Sequence, residues 1–161
     1  MDVVICGWDE VRSWLFDWDF DHIISIGAPG VGLPEALAPD DPRVLRLEFC
    51  DTHAFDDAAD DGPQPEHAEV LVDACRAIIA SGGSTLIHCA QGVSRSSACA
   101  LTLLAMAYGP GREEDAAADL SRLPGGHRAR PNTMLLSHVD ELLEREGALY
   151  AASASRYHAD G

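Results

Sequence analysis

Strands alternating with helices predict an α/β fold: a single domain whose central, mainly parallel sheet of four to five strands is flanked by helices. Four short runs, Val3–Cys6, His22–Ile26, Arg43–Phe49 and Ser84–His88, have strand length and are apolar or alternate apolar with polar residues. Longer stretches with apolar residues at helical spacing, above all Glu66–Ser81 and Arg95–Tyr108, lie between and after them. Gly- and Pro-rich breaks mark the boundaries. At 161 residues the chain is long enough for one domain with a proper core.

The elements follow in order. Val3–Cys6 opens as a strand, and a short helix follows near Glu10–Phe16. The second strand, His22–Ile26, is broken by Gly27-Ala28-Pro29-Gly30, and Pro34–Leu37 is read as one helical turn. Arg43–Phe49 alternates and forms the third strand; Asp51 to Pro65, rich in Asp, Gly and Pro, is a loop. Val70, Leu71, Ala74, Ala77 and Ile78 set the face of a helix that Gly82-Gly83 stops. Ser84–His88 is the buried central strand, and Arg95–Tyr108, apolar on nearly all sides, is a buried helix. Two amphipathic helices, Glu113–Arg122 and Asn132–Arg145, follow, the second capped by Asn132. The domain spans 1–150. The small, polar tail Ala151–Gly161 is expected to fray.

The net charge is −16 and every basic residue is Arg; there is no Lys. Such a surface excludes nucleic acid and anionic membrane partners, which demand basic patches. It fits a salt-adapted host or, more plainly, a GC-rich genome. No run spans a membrane, and Met1-Asp2-Val3 lacks the basic start of a secretory leader, so the cytoplasm is expected. Five cysteines, an odd number without metal-type pairing, point to reduced thiols. No metal and no cofactor are expected.

Chemistry concentrates in His88-Cys89-Ala90-Gln91-Gly92-Val93-Ser94-Arg95-Ser96. A cysteine and an arginine bracket a small-residue loop between the central strand and a helix N-terminus. Loop N–H groups and the helix dipole attract an anion there, and the same field favours a thiolate at Cys89. Ala90, Gln91, Gly92, Val93, Ser94 and Arg95 form the phosphate cradle (a P-loop). Arg95 offers a planar fork for two phosphoryl oxygens, and Gly92 removes a Cβ where the backbone must turn. The Ser96 hydroxyl can donate to the sulfur. His88 would be redundant as a base; holding loop carbonyls with its ring is the better reading.

Cys6-Gly7-Trp8-Asp9-Glu10-Val11-Arg12-Ser13 repeats the Cys-x5-Arg-Ser spacing after an apolar strand. An N-terminal copy is where low-molecular-weight tyrosine phosphatases carry their nucleophile. Asp9 and Glu10 would repel a phosphate, however, and no glycine stands at the turn. Cys6 is therefore read as a small core residue ending the first strand.

With its His-Cys-x5-Arg-Ser signature, the chain resembles the cysteine-dependent protein tyrosine phosphatase superfamily, specifically the compact dual-specificity phosphatases, and looks closest to small bacterial members. The resemblance covers most of Val44 to Leu143. Leu45-Arg46-Leu47-Glu48-Phe49-Cys50-Asp51 is similar to the strand and acid loop before the signature, and Arg130-Pro131-Asn132 to a recurrent Pro-Asn feature. Extra residues from Asp56 to Pro65 and Gln91 within the loop depart from the usual pattern. The resemblance implies the phosphatase fold and a general acid at Asp51, which also directly follows the third strand. Asp56 and Asp57 remain rivals in the same loop. His53 and His67 lie in or near that loop and are read as solvated rather than as substrate contacts. Arg128 and Arg130 either meet an anionic substrate flank or offset nearby acids.

The expected function is metal-free phosphomonoester hydrolysis through a phosphocysteine on Cys89, with Asp51 protonating the leaving group and Ser96 stabilising the departing thiolate. The resemblance favours phosphotyrosine in a phosphorylated protein, with phosphoserine and phosphothreonine as further candidates; a small phosphomonoester is also open. A phosphopeptide-binding module without turnover and a thiol-dependent arsenate reductase, with Cys99 resolving, are the alternatives. The sequence identifies no partner protein.

Overall fold

The computed structural model describes residues 1–53 and 61–159. Four strands, β1 (Asp2–Cys6), β2 (His22–Gly27), β3 (Val44–Glu48) and β4 (Ser84–His88), form one all-parallel sheet in the order β1-β4-β2-β3. Six helices accompany them among the described residues: α1 (Val11–Asp17), α2 (Pro65–Ser81), α3 (Arg95–Tyr108), α4 (Glu113–Leu120), α5 (Thr133–Leu142) and α6 (Ala148–Ala159). No helix among these residues is long and apolar enough to cross a membrane.

The expected α/β class and parallel sheet are observed, and β4 is central, between β1 and β2. Successive strand residues face opposite sides of the sheet, so each strand feeds two cores. Val3, Ile5, Ile24, Ile26, Leu47 and Ile87 pack against the helical layer around α3. Val4, Cys6, Ile23 and Leu86 pack with Val11, Phe20 and Leu37 beneath α1. Helix α3 is buried continuously from Arg95 to Ala105, as a sequence apolar on nearly all sides requires.

Pro34–Leu37 forms the single turn expected there, closed by the Leu37 N–H on the Pro34 carbonyl at 2.9 Å. Helix α1 begins later than Glu10, because a 3-10 turn, Trp8–Glu10, precedes it. Helix α6 runs from Ala148 to Ala159, with Leu149 and Ala152 fully buried. The cause sits on α5. The buried Asp140 carboxylate accepts the Gly147 N–H at 2.7 Å and the Leu149 N–H at 2.8 Å, and so caps α6 from a neighbouring helix. Composition alone does not reveal a cap supplied across a turn.

An ion pair between Glu113, at the start of α4, and Arg145, in the connection between α5 and α6, ties that connection to the helical layer. Both side chains are almost wholly buried, and Arg145 also donates to the Ala105 carbonyl of α3. Burial alone would raise the Glu113 pKa, but the Arg145 guanidinium and the N–H groups of Glu113 and Gly111 hold it below its ordinary 4.5. A depressed carboxylate pKa contributes stability that is present above 4.5 and lost as pH falls through the folded-state value. Arg145→Met leaves the carboxylate buried without its cation, and is expected to cost about 3 kcal/mol at pH 7. Urea unfolding at pH 7 and again below pH 4 measures this. The gap between variant and wild type should shrink at the lower pH, and equal stability at pH 7 would contradict the assignment.

Candidate active site

The loop Cys89–Ser94 leaves the carboxyl end of β4 and enters α3, where ligands bind in open parallel sheets. Its shape is fixed from outside. The Ala90 carbonyl accepts the Trp8 N–H at 3.0 Å, Val93 the Arg130 N–H at 2.8 Å, and Ser94 the Asn132 N–H at 3.0 Å. A trans peptide that turns its carbonyl outward turns the following N–H the other way. The N–H groups of Gln91, Ser94 and Arg95 are thereby directed into the concavity. Gly92 adopts φ 72°, and a Cβ there would lie 2.6 Å from the Cys6 carbonyl carbon. Only glycine allows this approach of loop and strand.

The competing motif thus has a place in the structure. Cys6 and Gly7, at the end of β1, form the wall on which the loop closes. Cys6 is buried; burial first, then the charges of Glu10 and Cys89, push its thiol up to about 12. Arg12 pairs with Glu35 at the surface, far more exposed than a phosphate-binding arginine would be.

Cys89 differs from its neighbours in kind. Burial acts to raise its pKa, but the Ser96 hydroxyl, the N–H groups of Ser96 and Gly92, and the Arg95 charge together bring it below the ordinary 9.0. The Sγ atom is 3.1 Å from Ser96 Oγ, the donor when sulfur is ionised, and accepts the Gly92 N–H at 3.3 Å. Cys75, by contrast, is pushed by burial to about 12, and fully buried Cys99 well above 9.0. All five cysteines are free thiols.

Arg95 is 8% exposed, and its Nη1 donates to the Phe49 carbonyl at 2.8 Å. Its buried Nε has no hydrogen-bond partner among the described residues. An unpaired buried guanidinium donor costs free energy unless something completes it, and an oxyanion suits its fork.

Asp51 stands over the loop. Its Oδ1 accepts from the Ser94 hydroxyl at 2.5 Å and from Asn132 Nδ2 at 2.7 Å, and its side chain remains 39% exposed. The structure thus brings Cys89, Arg95, Ser96, the loop and Asp51 together. The rival acids Asp56 and Asp57 lie outside the described residues.

Asn132 does more than the expected capping. Its Oδ1 accepts the Leu135 N–H at 2.9 Å, capping α5, while its Nδ2 also donates to the Thr52 carbonyl at 3.0 Å. One fully buried amide therefore fixes both the helix and the acid segment. His53, expected to be solvated, is drawn into this group: it is half-buried, 3.2 Å from Thr133 Oγ1 and 3.7 Å from the Asp51 carboxylate. His67 accepts the Gln64 N–H at the start of α2 and packs on Phe49. Arg128 binds Glu10, which favours the charge-offsetting reading for that residue.

His88 is fully buried, with Nδ1 3.1 Å from the Cys89 carbonyl and Nε2 2.6 Å from Ser25 Oγ. Burial lowers its pKa to about 4, so it is neutral at physiological pH and is not poised as a base.

No family model and no curated protein sequence matches the chain. Its likeness is in three dimensions. The crystal structure of human DUSP28 superposes with a TM-score of 0.64 at 20% identity, covering 91% of this chain and 94% of that one. The human tyrosine phosphatase-like serine/threonine/tyrosine-interacting protein gives a TM-score of 0.65 at 17% identity, with 87% and 89% covered. DUSP15 gives 0.60 at 19% identity, with 96% and 91% covered. Together with the all-parallel sheet and a loop anchored between β4 and α3, these superpositions show that the chain has the compact fold of the dual-specificity phosphatases.

Proposed function

We propose that the protein is a metal-free phosphomonoester hydrolase of the cysteine-dependent protein tyrosine or dual-specificity type. The observation that carries this reading is the pairing of a depressed thiol at Cys89 with a buried, half-satisfied guanidinium at Arg95 around one glycine-closed loop. Cys89 thiolate attacks phosphorus in line with the leaving oxygen. Arg95 and the loop N–H groups hold the equatorial oxygens as charge spreads over them. Asp51 delivers its proton to the leaving oxygen, so the phosphorus–oxygen bond breaks as the phosphorus–sulfur bond forms. The ionised Asp51 then takes a proton from water, which attacks phosphocysteine, while Ser96 stabilises the leaving thiolate. Arg95 and the loop dipoles supply the electrostatic role that a metal ion has elsewhere.

Phosphotyrosine in proteins is the proposed substrate class, with phosphoserine and phosphothreonine next. The loop interior between Cys89 and Arg95 carries no basic residue, and the net charge of −16 disfavours polyanionic substrates. Binding without turnover is the second reading, since one similar fold is that of a phosphatase-like interacting protein. The presence of Cys89, Arg95 and Asp51 in one group weighs against it. Arsenate reduction is disfavoured because Cys99 is wholly buried, with its thiol pushed up.

The test is release of phosphate from para-nitrophenyl phosphate and phosphotyrosine peptides, in fresh reductant with EDTA, across pH 5 to 8. Turnover undiminished by the chelator is expected. Tight peptide binding with no turnover would replace the enzyme by the binding module.

A further inference from the structure

The hydrogen bonds behind the nucleophile form one consistent arrangement of protons, and two residues with no part in the mechanism complete it. The Cys89 carbonyl can only accept, so the hydrogen on the contacting His88 Nδ1, 3.1 Å away, belongs to the ring. The neutral ring then has a lone pair at Nε2, and the Ser25 hydroxyl 2.6 Å away must be the donor. With its proton committed, Ser25 Oγ accepts from Arg46 Nη1 at 2.8 Å, and a guanidinium can only donate.

Arg46 is itself held in place. Its Nη2 donates to the Val31 carbonyl at 2.7 Å and the Gly32 carbonyl at 3.2 Å. Gly27 leaves room for it: a Cβ there would lie 2.2 Å from Nη2. Ser25 and His88 are fully buried, where an unsatisfied or reversed hydrogen bond is costly. The charged groups facing the ring are cations, Arg46 from β3 and Arg95 from α3, and both oppose its protonation. Glu48 lies beyond, 3.8 Å from Arg46 Nε. Cys6 on β1 and Cys99 on α3 face Cys89 as neutral thiols.

We propose that Arg46 and Ser25 are positioning residues for Cys89: they hold the His88 ring, protonated at Nδ1, against the Cys89 carbonyl, which anchors the Cys89 peptide and so aims the loop donors at sulfur. The proposal rests on the reading of Cys89 as nucleophile. Without Ser25 the buried Nε2 lone pair has no donor, and without Arg46 the Ser25 hydroxyl is no longer pinned towards it. In either case the ring can turn away from the Cys89 carbonyl, and the anchor loosens.

The experiment uses the full chain as wild type, Ser25→Ala, Arg46→Met and Ser25→Thr. Ring nitrogen chemical shifts of His88 report the tautomer, and the pH dependence of Cys89 alkylation by iodoacetamide reports the thiol. Wild type should show the Nδ1-protonated ring alone. Ser25→Ala and Arg46→Met should shift and broaden the His88 ring nitrogen signals as the ring loosens and raise the alkylation midpoint by about one pH unit, and phosphate release near pH 6 should fall about tenfold. Ser25→Thr, which keeps the hydroxyl, should retain the wild-type tautomer and midpoint. Unchanged ring nitrogen signals and an unchanged midpoint in both Ser25→Ala and Arg46→Met, with only a lower melting temperature, would reduce the pair to a packing role and overturn the proposal. Neither readout requires turnover, so failure of the phosphatase reading would leave this test intact.

Discussion

Cys89→Ser is expected to reduce phosphomonoester hydrolysis by about four orders of magnitude or more, while orthophosphate binding changes by only a few-fold. The site lowers a thiol pKa that begins at 9.0. A serine hydroxyl begins far higher, and the same donors cannot ionise it near neutral pH. Those donors and Arg95 remain in place, however, so an oxyanion still finds its cradle. Kinetics beside calorimetric phosphate titration separate the two effects. Cys6→Ser is the matched control. Its thiol, pushed to about 12, is inert at neutral pH, so turnover should stay within a few-fold of wild type. Equal losses in the two variants would mean that Cys6 and the loop it buttresses act as one unit; loss in Cys6→Ser alone would move the nucleophile.

The resemblance of the two Cys-x5-Arg segments shows what sequence can and cannot resolve. Charge inside the motif separates them: Asp9 and Glu10 disqualify the first, and the glycine turn qualifies the second. That the rejected segment forms the wall for the chosen one is a tertiary fact, invisible in either motif. The same division runs through the site. Cys89, Arg95, Ser96 and Gly92 are local to one strand–loop–helix unit, so spacing reveals them. Asn132 is legible as a helix cap, because capping is local, but its hold on Asp51 spans 81 positions. The Ser25–His88 hydrogen bond spans 63. Both depend on the order of parallel strands, which hydrophobic periodicity does not encode. In the fold, strand positions follow from apolar runs. Helix α6 carries no such signal, because its cap, Asp140, comes from another helix and its small polar residues give no strong helical pattern.

Asp51→Asn carries the second large effect, and the hydrogen bonds around Asp51 make it a clean substitution. Asparagine keeps an Oδ1 that accepts from Ser94 and Asn132, so the segment should stay where those bonds hold it. What is lost is the transferable proton. A phenoxide leaving group as basic as that of tyrosine needs that proton, so phosphotyrosine turnover should fall by about 100-fold or more. Para-nitrophenyl phosphate, whose leaving group is stable as an anion, should fall by less, roughly tenfold. Asp56→Asn and Asp57→Asn should leave rates and the dependence on leaving group near wild type. If one of them instead steepens that dependence while Asp51→Asn loses less than about twofold, the general acid lies further along the loop. The contact of Asp51 with Ser94 would then serve to shape the cradle. Comparing leaving groups decides this, since misshaping the cradle slows good and poor leaving groups alike and losing the acid does not.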